Sequence, residues 1–417
     1  MNQMRRELGR RAMFRLLRGT TGGRLEIHEG ERAYGFGPHD SELRATVEIH
    51  DPRAYAWTLR GSTGLGEGYI EGLWSCDDLV SLSRLCCRNL PVLDRWRRGL
   101  QPLLGPLQRG WTLVPRNTRF GAKRNISAHY DLGNTLFESF LDEAMIYSAA
   151  YFPEPDSTLE QAQLAKLERI CEALRLGPSD HVVEIGTGWG GLAVHAAATR
   201  GCRVTTTTIS REQHAYAVER VRKEGLGDRI EVLLRDYRDL EGSYDKLVSV
   251  EMIEAVGWQY FDDFFAKCSQ LTRPGGAMFL QAITIEDDAY EVEKASKSFA
   301  NTHVFPGGCL PSLGLITQLA ARNGMPATTV EDITGHYART LEIWRERYND
   351  AAPGLAKLGY DERFRRLWNF YLAFSEGGFR ERRIRDLQIV LAKPGWLAEE
   401  NGWPSATPVE AQASLSS

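Results

Sequence analysis

The stretch Val182-Val-Glu-Ile-Gly-Thr-Gly-Trp-Gly-Gly191 constrains this chain more than any other, because it joins an apolar strand to a glycine-rich turn and then to a helix. Glycines at 186, 188, 190 and 191 let the backbone turn tightly and come close to a ligand. N–H groups at the start of the following helix, predicted over 192–199, favour electron-rich ligand atoms. The pattern reads as a nucleotide-binding turn open to NAD, FAD or S-adenosylmethionine (SAM), and a plain strand-to-helix turn has the same spacing.

The residues around this turn place it in a sheet. From 125 onward, predicted strands at 181–185, 203–208, 230–234, 246–250 and 277–283 alternate with helical patterns at 159–174, 211–223 and 260–271. That alternation indicates a parallel sheet with helices on both faces. Before it, 24–34 reads as a hairpin, 45–50 as a strand, and 54–59 and 77–89 as helices, which together make a small α+β domain. The run Gly61-Ser-Thr-Gly-Leu-Gly-Glu-Gly68 reads as a turn. The expected division is 1–94 for the small domain, 95–124 for a linker, 125–395 for the α/β domain and 396–417 for a flexible tail.

Charge is informative locally rather than in total. The net charge of -4 over 417 residues argues against bulk nucleic-acid binding. Residues 4–18 hold six arginines and one glutamate with Leu8, Met13, Phe14, Leu16 and Leu17 between them, a pattern suited to a helix lying on an anionic membrane surface. The stretch 95–124 adds eight basic residues and no acid, with Trp96 and Trp111, and reads as a linker with membrane contact. Seven cysteines without a CxxC pair indicate neither a disulfide framework nor a zinc site. No apolar run reaches the roughly 18 residues that a span requires. The expected setting is therefore the cytoplasm, peripherally on the inner membrane face.

The choice of cofactor narrows at the second strand. NAD-binding sheets carry an acid there for the ribose, whereas this strand ends Thr205-Thr-Thr-Thr-Ile-Ser210. Glu184 on the first strand and Asp236 after the third fit a SAM-dependent methyltransferase better. The runs His129-Tyr-Asp-Leu-Gly-Asn134, Phe140-Leu-Asp142, Tyr147-Ser-Ala-Ala-Tyr-Phe152, Thr158 to Leu167 and Val304-Phe-Pro-Gly-Gly-Cys-Leu-Pro-Ser312 then resemble the cyclopropane fatty acid synthase family. The resemblance implies a Rossmann-like methyltransferase that delivers a methyl from SAM to a cis double bond of an acyl chain in a phospholipid. It also implies that Tyr147 and Ser148 close over SAM, that Gly186, Gly188 and Gly190 contact its amino-acid part, that Thr208 and Gln213 reach the ribose, and that Asp236 and Tyr237 border the adenine.

In that family the final base is taken to be a bicarbonate held by a cysteine, a glutamate, a histidine and a tyrosine. Here Glu254 and Tyr337 match, but Ala149 and Gln281 replace the cysteine and histidine, and Glu251 stands where the family tends to carry glycine. The expectation is that the Glu251 carboxylate takes over from bicarbonate, with Gln281 and Tyr337 as partners; the alternative keeps bicarbonate on fewer ligands. Tyr337, Trp344, Phe370, Tyr371 and Phe374 are available to face a carbocation. The departures favour a 10-methylene product, which would need a partner reductase to become a methyl branch, over a cyclopropane. A homodimer is a further expectation. The competing classes are a small-molecule O- or N-methyltransferase and a non-catalytic lipid-binding protein with the same fold.

Overall fold

The computed structural model describes residues 3–58, 60–90, 133–294 and 296–396. The expected linker 95–124, residues 129–132 of the first family run, and the tail from 397 lie outside the described residues. Chain contacts divide the protein into two compact units built from interleaved segments. One gathers Met1–Pro115 with Glu291–Gly307 and Leu341–Ile384, and the other gathers Arg116–Tyr290, Gly308–Thr340 and Arg385–Ser417.

The first unit contains a four-stranded sheet of β1 (Arg24–Glu29), β2 (Arg32–Phe36), β3 (Arg44–Ile49) and β4 (Trp74–Cys76), in the order β2-β1-β3-β4. The hairpin β1–β2 pairs Ile27 with Tyr34, and β3 lies parallel to β1. Period-two alternation turns Leu25, Ile27, Ala45 and Val47 inward. Helix Gln3–Leu17 docks within this unit: Phe14 meets Tyr34, Phe36 and Tyr55 edge-on at 5.0, 5.2 and 5.8 Å, and Arg10 pairs with Glu29 at 3.0 Å.

The glycine-rich run is a helix, Gly61–Ile70, and not the turn its composition suggests. Its glycines are there for close approach. A Cβ on Gly66 would stand 2.3 Å from the Phe299 ring, and one on Gly64 would stand 1.9 Å from the Trp57 carbonyl oxygen. Phe299 in turn meets Phe370 at 4.7 Å, and Phe370 meets Tyr69 and Trp74, so the bare helix face admits an aromatic core. Packing here outweighs the roughly 1 kcal/mol per residue by which glycine disfavours a helix.

The second unit is built on a seven-stranded sheet of β5 (His181–Ile185), β6 (Arg203–Thr208), β7 (Ile230–Leu234), β8 (Tyr244–Val250), β9 (Thr272–Ile285), β10 (Ala327–Asp332) and β11 (Ile384–Ala392). The order is β10-β11-β9-β8-β5-β6-β7. Strands β5 to β9 pair in parallel, and β10 and β11 are antiparallel. Lys393 bonds to Gly276 at one end and Thr284 to Arg385 at the other, so β11 also runs against β9. Adjacent residues of β5 feed opposite faces, Val183 into a core with Leu247, Phe264 and Leu280, and Val182 into one with Ile170, Ala193 and Phe279. A strand covered on both sides reads as a continuous apolar run, which is why it is visible in the sequence. Strand β9 starts five residues before the predicted 277, because Pro274-Gly275-Gly276 reads as a breaker; its pairing with β8 shifts register between Tyr244 and Lys246.

Chain order reverses at β5, with β6 on one side and β8 on the other, which opens a crevice at the carboxyl edge. Helix Leu159–Ala173 is fixed at its start by a capping box between Thr158 and Gln161 and buries Lys166 among Ala162, Leu167 and Ile170. Substituting Gly66→Ala should destabilise the protein by about 1–3 kcal/mol, since an added methyl in a filled core outweighs better helix propensity. A lower thermal midpoint checks this; a raised one contradicts the close-approach account.

Candidate active site

The glycine turn occupies the crevice. Gly186, Gly188 and Gly190 have φ of 104, 53 and 85°, left-handed backbone that side chains disfavour. A Cβ on Gly188 would meet nothing within 4 Å, whereas one on Gly190 would stand 3.2 Å from Ala217. Position 188 therefore leaves room for a ligand, while 190 brings helix Arg211–Lys223 close. Trp189 anchors the turn through a hydrogen bond from Nε1 to Asn134 Oδ1 (2.8 Å) and ring contact with Phe137.

The other cofactor candidates lie along the same edge. Glu184 is buried in β5 and accepts from the Thr206 hydroxyl at 2.6 Å; burial pushes its carboxyl up to about 8. Thr208 donates to Gln213 Oε1 (2.9 Å), and Ser210 caps the helix that carries Gln213. Asp236 and Tyr237 follow β7, with Asp236 held by both Nε and Nη2 of Arg238 (2.9 and 2.6 Å) and Tyr237 packed on Phe264. Tyr147 contacts Phe137 and Phe140, and the Ser148 hydroxyl accepts from Lys166 Nζ (2.6 Å). A neutral hydroxyl-and-amide end to β6, an open glycine backbone and a nearby acid suit SAM, whose charge is a sulfonium cation.

Beside this crevice the structure assembles a carboxylate cluster. Glu251 follows β8 at φ 48°, in backbone that favours glycine, with its own N–H bonded to the Gln281 carbonyl (2.8 Å). Its Oε1 accepts from the Ala149 N–H and from Gln281 Nε2, both at 2.8 Å, and Oε2 accepts from the Tyr337 hydroxyl at 2.8 Å. Glu251, Gln281 and Tyr337 thus meet at one carboxylate. Glu254 Oε1 accepts from the Ile283 N–H, and its Oε2 receives no donor among the described residues. Of the aromatics named from the sequence, Tyr337 touches this cluster, whereas Phe370 belongs to the core of the first unit.

Two members were missed by sequence reasoning. Asp386, fully buried at the start of β11, accepts from Gln281 Nε2 at 2.9 Å. Lys166 supplies the positive charge that Glu251 and Asp386 feel. A signal existed for each: Lys166 falls on the apolar face of its helix, and Asp386 and Gln388 share one face of a strand whose other residues, Arg385 apart, are apolar.

Burial raises all three carboxyls, Glu254 to about 8, and lowers Lys166 to about 8. For Glu251 the Ala149 N–H, Lys166, Tyr337 and Gln281 oppose that rise. Bicarbonate does not fit these residues: the donors suited to an anion, the Ala149 N–H, Gln281 Nε2 and the Tyr337 hydroxyl, already hold the Glu251 carboxylate, whose charge repels a second anion.

Comparison with known proteins agrees with this geometry. A family model described as mycolic acid cyclopropane synthetase matches residues 118–389. The chain is 40% identical to a tuberculostearic acid methyltransferase of Mycobacterium tuberculosis over 83% of each chain. It is 37% identical to the cyclopropane-fatty-acyl-phospholipid synthase of Escherichia coli K12, over 84% of this chain and 88% of that one. A mycolic acid cyclopropane synthase solved in complex with SAH and CTAB superposes with a TM-score of 0.61 at 30% identity, covering 65% of this chain and 98% of the other. The open glycine turn and the hydroxyl-ended second strand thus sit in the fold and sequence of a known group, and the chain belongs to the mycolic acid cyclopropane synthetase family of SAM-dependent methyltransferases.

Proposed function

We propose that the enzyme methylates the cis double bond of an unsaturated acyl chain in a phospholipid, and that Glu251 removes the proton that completes the product. The observation that carries this reading is the Glu251 carboxylate, held by three donors from three separate segments. Bound SAM supplies an electrophilic methyl group. Tyr147, Ser148, Glu184, Gly186, Gly188, Gly190, Thr208, Gln213, Asp236 and Tyr237 would hold it.

The methylated acyl chain carries a positive charge that water would trap, so a surrounding with little water is required. The base must then be already in place and still ionised. Three donors and Lys166 meet both needs at Glu251. Glu254, with one donor and its carboxyl near 8, stays protonated at neutral pH and does not compete.

Product identity depends on when the proton leaves. Removal from the new methyl before a hydride moves closes a cyclopropane; removal after the hydride shift gives an exocyclic methylene. A fixed carboxylate in place of a diffusible anion changes the base geometry, and the 40% identical tuberculostearic acid methyltransferase supports the methylene, to be reduced by a separate reductase. Among the described residues no helix is long and apolar enough to cross a membrane. Access to lipid is proposed through helix Gln3–Leu17, which leaves Arg11 and Arg15 exposed, followed by the exposed Arg18. Each contributes about 1 kcal/mol at an anionic surface.

Glu251→Gln should lower turnover by about 10²–10⁴-fold, the usual contribution of a general base, with SAM affinity unchanged in a binding titration. Near-normal turnover sinks the assignment. Because burial raises the Glu251 carboxyl, wild-type turnover should fall with decreasing pH at a midpoint above the ordinary carboxylate range. A rate profile flat down to pH ~4 contradicts that. Methyl-labelled SAM and unsaturated phospholipid should yield labelled lipid whose NMR spectrum shows exocyclic methylene protons; cyclopropane signals alone would reverse the product assignment.

A further inference from the structure

Asp386 takes no part in the chemistry assigned above, although it closes the cluster on the far side of Gln281. The Gln281 amide has two hydrogens and directs one to Glu251 Oε1 (2.8 Å) and the other to Asp386 Oδ2 (2.9 Å). Its orientation is set from behind. Arg169 can only donate, and its Nε points at Gln388 Oε1 (3.4 Å), which turns Gln388 Nε2 toward Gln281 Oε1 (3.1 Å). Arg169 is itself buried, paired with Glu331 and stacked over Tyr151 at 4.1 Å. The chain Arg169–Gln388–Gln281 therefore has one direction, and it ends with an NH2 group between two carboxyls.

Those two carboxyl groups accept from one and the same nitrogen, Gln281 Nε2, at 2.8 and 2.9 Å, so they face each other across it. Two anions so placed repel, whereas one proton between them makes the contact favourable. Donor count decides which group keeps the charge. Glu251 has the Ala149 N–H, Gln281 and Tyr337; Asp386 has Gln281, and its Oδ1 receives no donor among the described residues. The charged groups facing Asp386 are Glu251 and Glu254, from the segment after β8, and Lys166, from helix Leu159–Ala173.

We propose that Asp386 is a positioning residue for methyl transfer: it keeps a proton, bonds Glu251 as a neutral acid, and leaves Glu251 the ionised member of the pair. The proposal rests on the assignment of Glu251 as the base. In the catalytic step the substrate proton passes to Glu251 while the Asp386 proton stays where it is. Loss of the Asp386 proton at high pH places two anions on one Gln281 amide and displaces the base. Burial beside Glu251 and Glu254 puts that loss well above the ordinary carboxylate range. The active form of the pair thus holds one proton, and turnover depends on pH as a bell.

The experiment is the pH profile of kcat for full-length wild type, Asp386→Asn and Glu251→Gln on unsaturated phospholipid vesicles, with SAM titration as the folding control. Asparagine imitates the neutral acid, so Asp386→Asn should lose about three- to tenfold in kcat, keep the acid limb and lose the alkaline limb. Turnover as low as in Glu251→Gln at every pH would make Asp386 the ionised group and overturn the proposal. An unchanged alkaline limb would assign that limb to Lys166 and overturn it as well. A wild-type profile without an alkaline limb, wherever SAM still binds, overturns it irrespective of how the variant folds. An active Glu251→Gln instead rejects the base itself, which separates the two failures.

Discussion

The site depends on the hydrogen bonding of one carboxylate. Glu251 collects an N–H from the loop at Ala149, an amide from β9 and a hydroxyl from the helix that begins at Thr334, so three segments must be in place before it is. Left-handed backbone at Glu251 costs about 1–2 kcal/mol, and the fold sustains it because the same turn bonds its N–H to the Gln281 carbonyl. The strain lies where a glycine would be comfortable, and it places a charged side chain in a space that glycine would leave open.

Electrostatics follow from that placement. Three acidic residues and one lysine share a buried region, and charging all three acids would be prohibitive. Unequal numbers of donors sort them, with the most at Glu251. The Ser148–Lys166 contact links this cluster to the segment expected to cover the cofactor, so the acyl-chain chemistry and the methyl donor rest on common supports.

Strand β5 was legible because it is short and doubly covered, so its apolar run ends sharply at Gly186, while β6, with Val204 and four threonines, and the edge strand β7, with Ile230, Val232, Leu233 and Leu234, showed as β-branched and aliphatic residues between charged or polar ones. Glu251, Gln281 and Tyr337 could be named together only through family resemblance, since they lie far apart in the chain and no local period relates them. Lys166 and Asp386 stayed hidden for another reason: a polar residue among buried apolar ones looks like an exception until its partners are seen. The glycine helix Gly61–Ile70 misled in part because Gly66 answers to Phe299, more than two hundred residues away. The interleaving of Glu291–Gly307 and Leu341–Ile384 with the N-terminal segment is likewise a property of tertiary contacts.

The central claim is that a protein carboxylate stands in for an exchangeable anion. Its most direct test is turnover of the wild-type enzyme in buffer freed of carbon dioxide and bicarbonate, compared with the same buffer after bicarbonate is added back. Equal rates are predicted, since the donors that would hold the anion are already bonded to Glu251. A rate that collapses without bicarbonate and returns with it would contradict the account.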